Sequence, residues 1–177
     1  MRDAPADDEV PFAGSGDGTD PADRRRDAAD AYRKALGLLV RREQSRRDLK
    51  RKLAARGIDA EHAEAAVERL AGQGYQDDAR FAASFARDRV AAGYGPVRIR
   101  QELAAHGLGS DTCADALAAC EVDWAERALH AARRFAATDV ADPAKRRKAF
   151  DFLLRRGFDP GHAQAALRAR AGVDADV

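Results

Sequence analysis

Three glycines set 50 residues apart, Gly57, Gly107 and Gly157, limit most strongly what this chain can fold into. Each follows a basic residue and precedes a large apolar one: Arg56-Gly57-Ile58, His106-Gly107-Leu108 and Arg156-Gly157-Phe158. At the same offset Leu53 matches Leu103 and Leu153, Ala66 matches Ala116 and Ala166, Val67 matches Leu117 and Leu167, and Ala35 matches Phe85 and Phe135. A register kept without insertion through three copies means one unit stacked three times. Each copy then buries its face against the next rather than around a common centre. The expected shape is elongated, and such arrays serve as binding surfaces.

The unit is helical. Gly57, Gly107 and Gly157 sit where a helix closes in a left-handed residue, a conformation only glycine adopts without steric cost. The following helices start from Asp59, Ser110 and Asp159, whose side chains accept from the first free N–H groups. Pro160 after Asp159 and Pro96 after Gly95 suit the first helical position. The first helix of each copy begins near Asp27, Asp77 and Asp123, the last resembling a capping box with Glu126. Apolar residues pair at helical spacing as Leu49 and Leu53 (with Arg46 one turn earlier), Phe81 and Phe85, Ile99 and Leu103, Ala149 and Leu153, while no run alternates at period two. The prediction is an all-α fold of three tandem three-helix repeats stacked into an elongated, curved array. Its nine helices fall at about 27–42, 45–56, 59–72, 77–92, 96–106, 110–120, 123–137, 142–156 and 159–171. The expected division is an acidic, disordered tail over 1–23, repeats over 24–74, 75–121 and 122–171, and a short tail over 172–177.

Several classes of function are disfavoured. The apolar run from Ala35 to Val40 is far short of the roughly 20 residues that span a bilayer, so no membrane span is expected. Met1 to Asp23 lacks the basic start and apolar stretch of a secretion signal, which places the chain in the cytoplasm. Cys113 and Cys120, seven apart on one predicted helix, have Cα atoms about 10 Å apart, beyond the roughly 7 Å limit for a disulfide. They read as small packing residues, Cys113 standing where Ala63 and Ala163 stand in the other copies. His62, His106, His130 and His162 are not paired at ligand spacing, so neither metal nor cofactor is expected. His106 instead matches Arg56 and Arg156 as a cation in the last turn of a helix. Asp77 and Asp78 read as helix-start residues rather than a catalytic pair. Ser45 and Ser84 have no histidine at a suggestive spacing. Gly14, Gly16 and Gly18 are not flanked by the strand and helix of a nucleotide site. The chain reads as a binding protein, not an enzyme.

Charge is segregated. Residues 1–23 set Arg2 against seven carboxylates, a net −6, which leaves +7 on the rest and +9 once Asp174 and Asp176 are also set aside. A basic body between acidic tails suits a polyanionic partner or an acidic protein groove, with the tail either competing for the same surface or serving as a solubilising extension. Arg41, Arg42, Arg46, Arg47, Lys50, Arg51 and Lys52 crowd one stretch, and the matching helices carry Arg98 and Arg100, then Lys145 to Lys148. Stacking would align them into a stripe, with Arg47, Lys50, Arg51, Arg98, Arg100, Arg146 and Arg147 as the candidate contacts to partner or DNA. Most aromatics occupy core positions, and Tyr75 and Tyr94 are left open for partner contact.

Four segments together resemble one family: Arg41-Arg42-Glu43-Gln44-Ser45-Arg46-Arg47-Asp48-Leu49-Lys50-Arg51-Lys52-Leu53, Gly74-Tyr75-Gln76-Asp77-Asp78-Ala79-Arg80-Phe81-Ala82, Gly95-Pro96-Val97-Arg98-Ile99-Arg100-Gln101-Glu102-Leu103 ending in Gly107-Leu108, and Phe152-Leu153-Leu154-Arg155-Arg156-Gly157-Phe158. In order and spacing, from about Ala31 to Ala169, they are similar to the bacterial regulatory protein family RecX. Asp48 stands where that family more often has glutamate, and the long acidic N-terminus lies outside its pattern. The resemblance implies a monomeric, non-enzymatic regulator of DNA repair, recombination and the SOS response. It would lie in the groove of the RecA filament on single-stranded DNA and inhibit ATP hydrolysis, strand exchange and coprotease activity. The competing reading is a sequence-independent DNA-binding helical-repeat protein acting without RecA. The basic residues spread along several helices, which favours backbone contact over base readout.

Overall fold

The computed structural model describes residues 20–172, and the expected acidic tail before Asp20 lies outside the described residues. Among the described residues the chain is wholly helical. The first repeat holds α1 (Pro21–Leu39), α2 (Arg46–Ala54) and α3 (Ala60–Gly72). The second holds α4 (Asp78–Ala91), α5 (Pro96–Ala105) and α6 (Ser110–Ala118). The third holds α7 (Trp124–Ala132), α8 (Ala137–Ala141), α9 (Pro143–Arg155) and α10 (Pro160–Gly172).

Each repeat buries its own core. Leu49, Leu53, Ala63, Val67 and Leu70 close the first, Ile99, Leu103, Cys113, Ala116 and Leu117 the second, and Leu153, Phe158, Ala163, Ala166 and Leu167 the third. The equivalent leucines Leu53, Leu103 and Leu153 are all fully buried, each contributing about 1.5–3 kcal/mol by transfer from water. Trp124 lies against both the second and third cores and is the apolar link between them. The thiols of Cys113 and Cys120 are free, and burial pushes both up from their ordinary value.

Helix starts follow the capping signals with three exceptions. Asp59, Asp77, Asp123 and Asp159 each accept from the first N–H groups of their helices, Asp77 from Ala79 and Arg80 at 2.7 and 3.0 Å. Ser110 does not cap: it is the first residue of α6, and Gly109 precedes it without a side-chain bond. The first helix starts at Pro21 rather than near Asp27, because Asp20 accepts from Ala22 N and proline presets the first turn. The third repeat breaks the long helix expected over 123–137. Phe135 leaves the helix to set its ring edge-on against Phe152, 5.4 Å between centroids, and Arg170 donates to the carbonyl this exposes at 3.1 Å. Pro143 then holds Asp142 extended, so α8 and α9 form as separate helices.

The repeats are joined end to end through their middle helices. At the start of α5, Gly95 N–H donates to Arg156 C=O at 2.8 Å and Val97 N–H donates to Gly157 C=O at 3.0 Å. Amides that a helix start normally leaves unpartnered are thus satisfied by the end of α9. Only glycine fits here. A Cβ on Gly157 would stand 2.3 Å from Arg98 Cβ, and one on Gly95 would stand 2.4 Å from the Gly157 carbonyl carbon. Gly57 has the same left-handed turn, φ +76°, but nothing within 4 Å of such a Cβ, because no repeat docks on that end.

Two outcomes follow. Gly57→Ala should cost about 1–2 kcal/mol through its backbone angle alone, whereas Gly157→Ala should cost about 1–3 kcal/mol more by forcing the junction apart. Urea denaturation of the two variants measures the gap, and equal losses would contradict the close approach. The carboxyl of Asp77 is held below its ordinary value chiefly by the Arg80 N–H, and those of Asp59 and Asp142 by the N–H groups of His62 and Lys145. Because the folded pKa values are depressed, their stabilisation is complete above about pH 4 and is lost as pH falls through the folded values. Thermal melts from pH 6 to pH 2.5 should show Tm falling below pH 4, with a shallower fall for Asp77→Asn.

Candidate partner-binding surface

The three middle helices run in one direction, α9 into α5 into α2, with 13, 10 and 9 residues. At about 1.5 Å per residue they trace a path on the order of 50 Å. The seven candidate basic residues all lie on this column, and they divide by whether the chain already supplies a counter-charge.

Lys50, Arg51 and Arg98 are paired within the chain. Lys50 Nζ meets Glu64 Oε2 of α3 at 2.6 Å, and Arg51 Nη2 meets Asp48 Oδ1 at 2.9 Å. Arg98 Nε meets Glu102 Oε1 at 2.9 Å, a bond that raises the guanidinium's affinity for its proton. Its plane also lies 4.4 Å from the Tyr94 ring centroid. Arg47, Arg100, Arg146 and Arg147 are exposed and form no ion pair among the described residues.

Arg47 and Arg51 are positioned by a polar hub between the first two repeats. The Arg47 stem lies over Gly107, where a Cβ would meet its Cδ at 2.9 Å. Asp48, nearly buried, accepts from Arg51 with one oxygen and bonds His106 Nδ1 with the other at 2.7 Å. Phe81 and Phe85 set their rings edge-on to that imidazole at 5.2 and 4.9 Å. Above it, Asp78 Oδ1 accepts from the Arg46 N–H and from Gln76 Nε2, both at 2.9 Å, and Gln76 also donates to Gln44 C=O at 3.3 Å. Gln44, Ser45 and Gln76 are buried, as is Asp48, while Asp78 is half-buried. Ser84 lines the same cavity of about 140 Å³ as His106 and Asp48. Among the described residues it forms no hydrogen bond to the imidazole, whose partner is the neighbouring repeat.

Several placements differ from the sequence reading. His106 is a C-cap residue whose bond crosses to Asp48 of the preceding repeat. Asp78 caps the start of α2 rather than its own helix. Tyr94 is not free for a partner: it is half-buried at the second junction, with Arg98 and Arg156 at 4.4 and 5.1 Å from its ring. Tyr75 remains exposed. The hub residues Gln44 and Gln76 escaped the sequence reading, and Asp78 was read there only as a helix-start residue. A signal was available, since Gln44-Ser45 aligns under the 50-residue offset with Tyr94-Gly95, the other junction. The described residues hold no cluster of metal-ligating side chains and no helix long and apolar enough to cross a membrane.

Three family models match in chain order: the first three-helix domain of RecX over residues 31–70, the second over 77–117 and the third over 121–167. The regulatory protein RecX of Xanthomonas campestris pv. campestris (strain B100) is 57% identical over 136 residues, 76% of this chain and 84% of that one. That of Stenotrophomonas maltophilia (strain R551-3) is 53% identical over 136 residues, covering 76% and 83%. A crystal structure of a regulatory protein RecX superposes with a TM-score of 0.70 at 26% identity, over 84% of this chain and 78% of that one. The RecX structure from Lactobacillus salivarius, at 22% identity, shares the fold with a TM-score of 0.72 over 82% and 97%.

Proposed function

The chain belongs to the RecX family of regulatory proteins, and from that premise we propose that it regulates DNA repair and recombination by binding the RecA filament on single-stranded DNA. Bound there, it inhibits ATP hydrolysis, strand exchange and coprotease activity without chemistry of its own. The observation that carries this reading is the column of α9, α5 and α2, joined end to end and bearing Arg47, Arg100, Arg146 and Arg147, exposed cations that form no ion pair among the described residues.

A helical polymer presents the same acidic and phosphate groups at regular intervals, and a repeat array presents cations at regular intervals in return. A rod on the order of 50 Å that touches neighbouring protomers would resist the movement between them that ATP turnover demands. Arg47, Arg100, Arg146 and Arg147 are the primary contacts in this scheme. Lys50, Arg51 and Arg98 contribute after exchanging an internal partner for an external one. Binding to DNA backbone alone is the weaker, sequence-independent component.

The test is the ATPase of RecA on single-stranded DNA titrated with the full chain. Inhibition at well below one molecule per RecA is expected. The quadruple variant Arg47→Glu, Arg100→Glu, Arg146→Glu, Arg147→Glu should require about tenfold more protein or worse, because reversed charges repel the partner as well as losing contacts. Equal inhibition by the variant removes the basic column from the mechanism. No inhibition by the natural chain, together with tight salt-sensitive binding to DNA, favours action on DNA without RecA.

A further inference from the structure

Among the described residues the large apolar side chains left exposed are Val40, Tyr75, Val97 and Leu154, and two of these meet. Leu154, near the end of α9, and Val97, at the start of α5, line one open groove of about 340 Å³ at the second junction, with 37% and 38% of their surface exposed. Arg146, Arg147, Phe150 and Leu154 recur at helical spacing and share one side of α9. One turn before Leu154, Phe150 and Leu167 form the floor of a second open groove, between α9 and α10, of about 530 Å³. Arg146, Arg147 and Arg168 stand around that floor, and Asp151 is the one carboxylate beside them. In the first groove the one carboxylate, Glu102, is already held by Arg89 and Arg98.

The other copies do not repeat this strip. Under the 50-residue offset Phe150 corresponds to Lys50 and Arg100, Val97 to Arg47 and Arg147, and Leu154 to Ala54 and Ala104. In the first repeat the groove between the second and third helices is moreover closed by ion pairs, Arg46 to Glu68 and Lys50 to Glu64, whereas the third has Gln164 and Arg168 in place of the two carboxylates. The column is therefore uneven along its length. At these positions α2 presents charge and an alanine, while the run from α9 into α5 presents an apolar strip edged by guanidiniums.

We propose that the strip of Phe150, Leu154 and Val97, with Arg146 and Arg147 beside it, is where the column meets protein: a partner segment carrying aliphatic or aromatic anchors flanked by carboxylates. The apolar groups fill the two grooves and the carboxylates take charge-assisted bonds from the guanidiniums. An apolar centre with an aromatic ring and arginines around it is the composition of protein interfaces. A nucleic acid strand would answer the charge alone, since its bases stack on π-faces and neither Val97 nor Leu154 offers one. The identity of the natural partner rests on the RecA reading given above, but the chemistry of the strip is tested without RecA.

The probe is a fluorescein-labelled acidic peptide, Glu-Glu-Leu-Leu-Glu-Glu-Phe-Leu-Glu-Glu, followed by anisotropy on the full chain, with a labelled glutamate oligomer of equal charge as control. The peptide should bind saturably and about fivefold more tightly than the oligomer or better, the gain from partly burying aliphatic groups. Arg146→Glu with Arg147→Glu should weaken it about tenfold or more, because each repels a carboxylate it formerly held. Val97→Thr with Leu154→Gln should abolish the preference for peptide over oligomer while oligo-dT binding changes by less than about twofold, because no phosphate contact is lost. Leu154→Met keeps the apolar surface and should keep the preference, and thermal melts of each variant separate a local loss from unfolding. No saturable binding, equal binding of peptide and oligomer, or an unchanged preference in the Val97→Thr, Leu154→Gln chain overturns the proposal. Equal losses of peptide and oligo-dT in that chain overturn it too and give the strip to nucleic acid. In the RecA ATPase the same double variant should need about fivefold more protein for half-inhibition, the same loss of apolar burial. Undiminished inhibition by it removes the strip from the RecA contact. A natural chain that prefers the peptide yet leaves the ATPase untouched upholds the strip and overturns RecA as its partner.

Discussion

The architecture depends on one contact, the meeting of a helix end with a helix start. A helix presents unsatisfied amides at its N-terminus and unsatisfied carbonyls at its C-terminus, each carrying a partial charge of opposite sign. Placing the end of α9 against the start of α5 satisfies both at once through the amides of Gly95 and Val97. The approach is close enough that neither Gly95 nor Gly157 can bear a side chain. Of the glycines in the 50-residue period, Gly157 meets this constraint through backbone, Gly107 lies under the Arg47 side chain, and Gly57 has nothing within 4 Å of a Cβ. An inserted residue between Leu153 and Gly157 would rotate the carbonyls of Arg156 and Gly157 away from the amides they serve.

The two outer ends of the column have no neighbouring repeat, and each is closed by a side chain. At the start of α9 the Asp142 carboxylate accepts from Ala144 and Lys145 at 2.8 and 3.1 Å. At the far end of α2 the Arg56 guanidinium donates to Lys52 C=O at 3.1 Å. Arg156, at the equivalent position to Arg56, spends its guanidinium on Ala92 C=O of the preceding repeat instead. One residue type thus caps a terminus or glues a junction depending only on what stands opposite. The first junction relies on buried polar side chains, and removing one partner there leaves another without a bond in a site that excludes water.

What could be read from the sequence was whatever is settled within one helix or one turn. The closing glycines, the buried leucines Leu53, Leu103 and Leu153, and the caps Asp59, Asp77 and Asp159 all belong to that class. The start at Asp20-Pro21 carries the same cap-and-proline signal as Asp159-Pro160, yet it sits inside an acidic stretch whose composition argued for disorder. The break between α7 and α8 was not legible, because Phe135 leaves its helix for the distant ring of Phe152, and a 3.6-residue period carries no information about that. The basic residues show the same limit. Charge and helix phase place Lys50 and Arg51 on the column, but whether each cation is already neutralised depends on which side chain the neighbouring helix or turn turns toward it. Glu64 stands on α3, 14 residues from Lys50, and although Arg51 meets Asp48 three residues away on its own helix, the second bond of Asp48, to His106, exists only once two repeats have docked.

Divergence among the copies is confined to where the fold permits it. The core positions keep their character through all three repeats because each leucine or alanine is enclosed by its own helices. The groove positions 64 and 68 face solvent and have changed in both later copies, to Ala114 and Ala118 and then to Gln164 and Arg168. Three guanidiniums around one groove repel one another, and exposure to water and salt keeps that cost small. The stacking that isolates each core is what lets these surface positions differ between copies, with Glu64 and Glu68 paired to Lys50 and Arg46 in the first repeat and Gln164 and Arg168 standing in their place in the third.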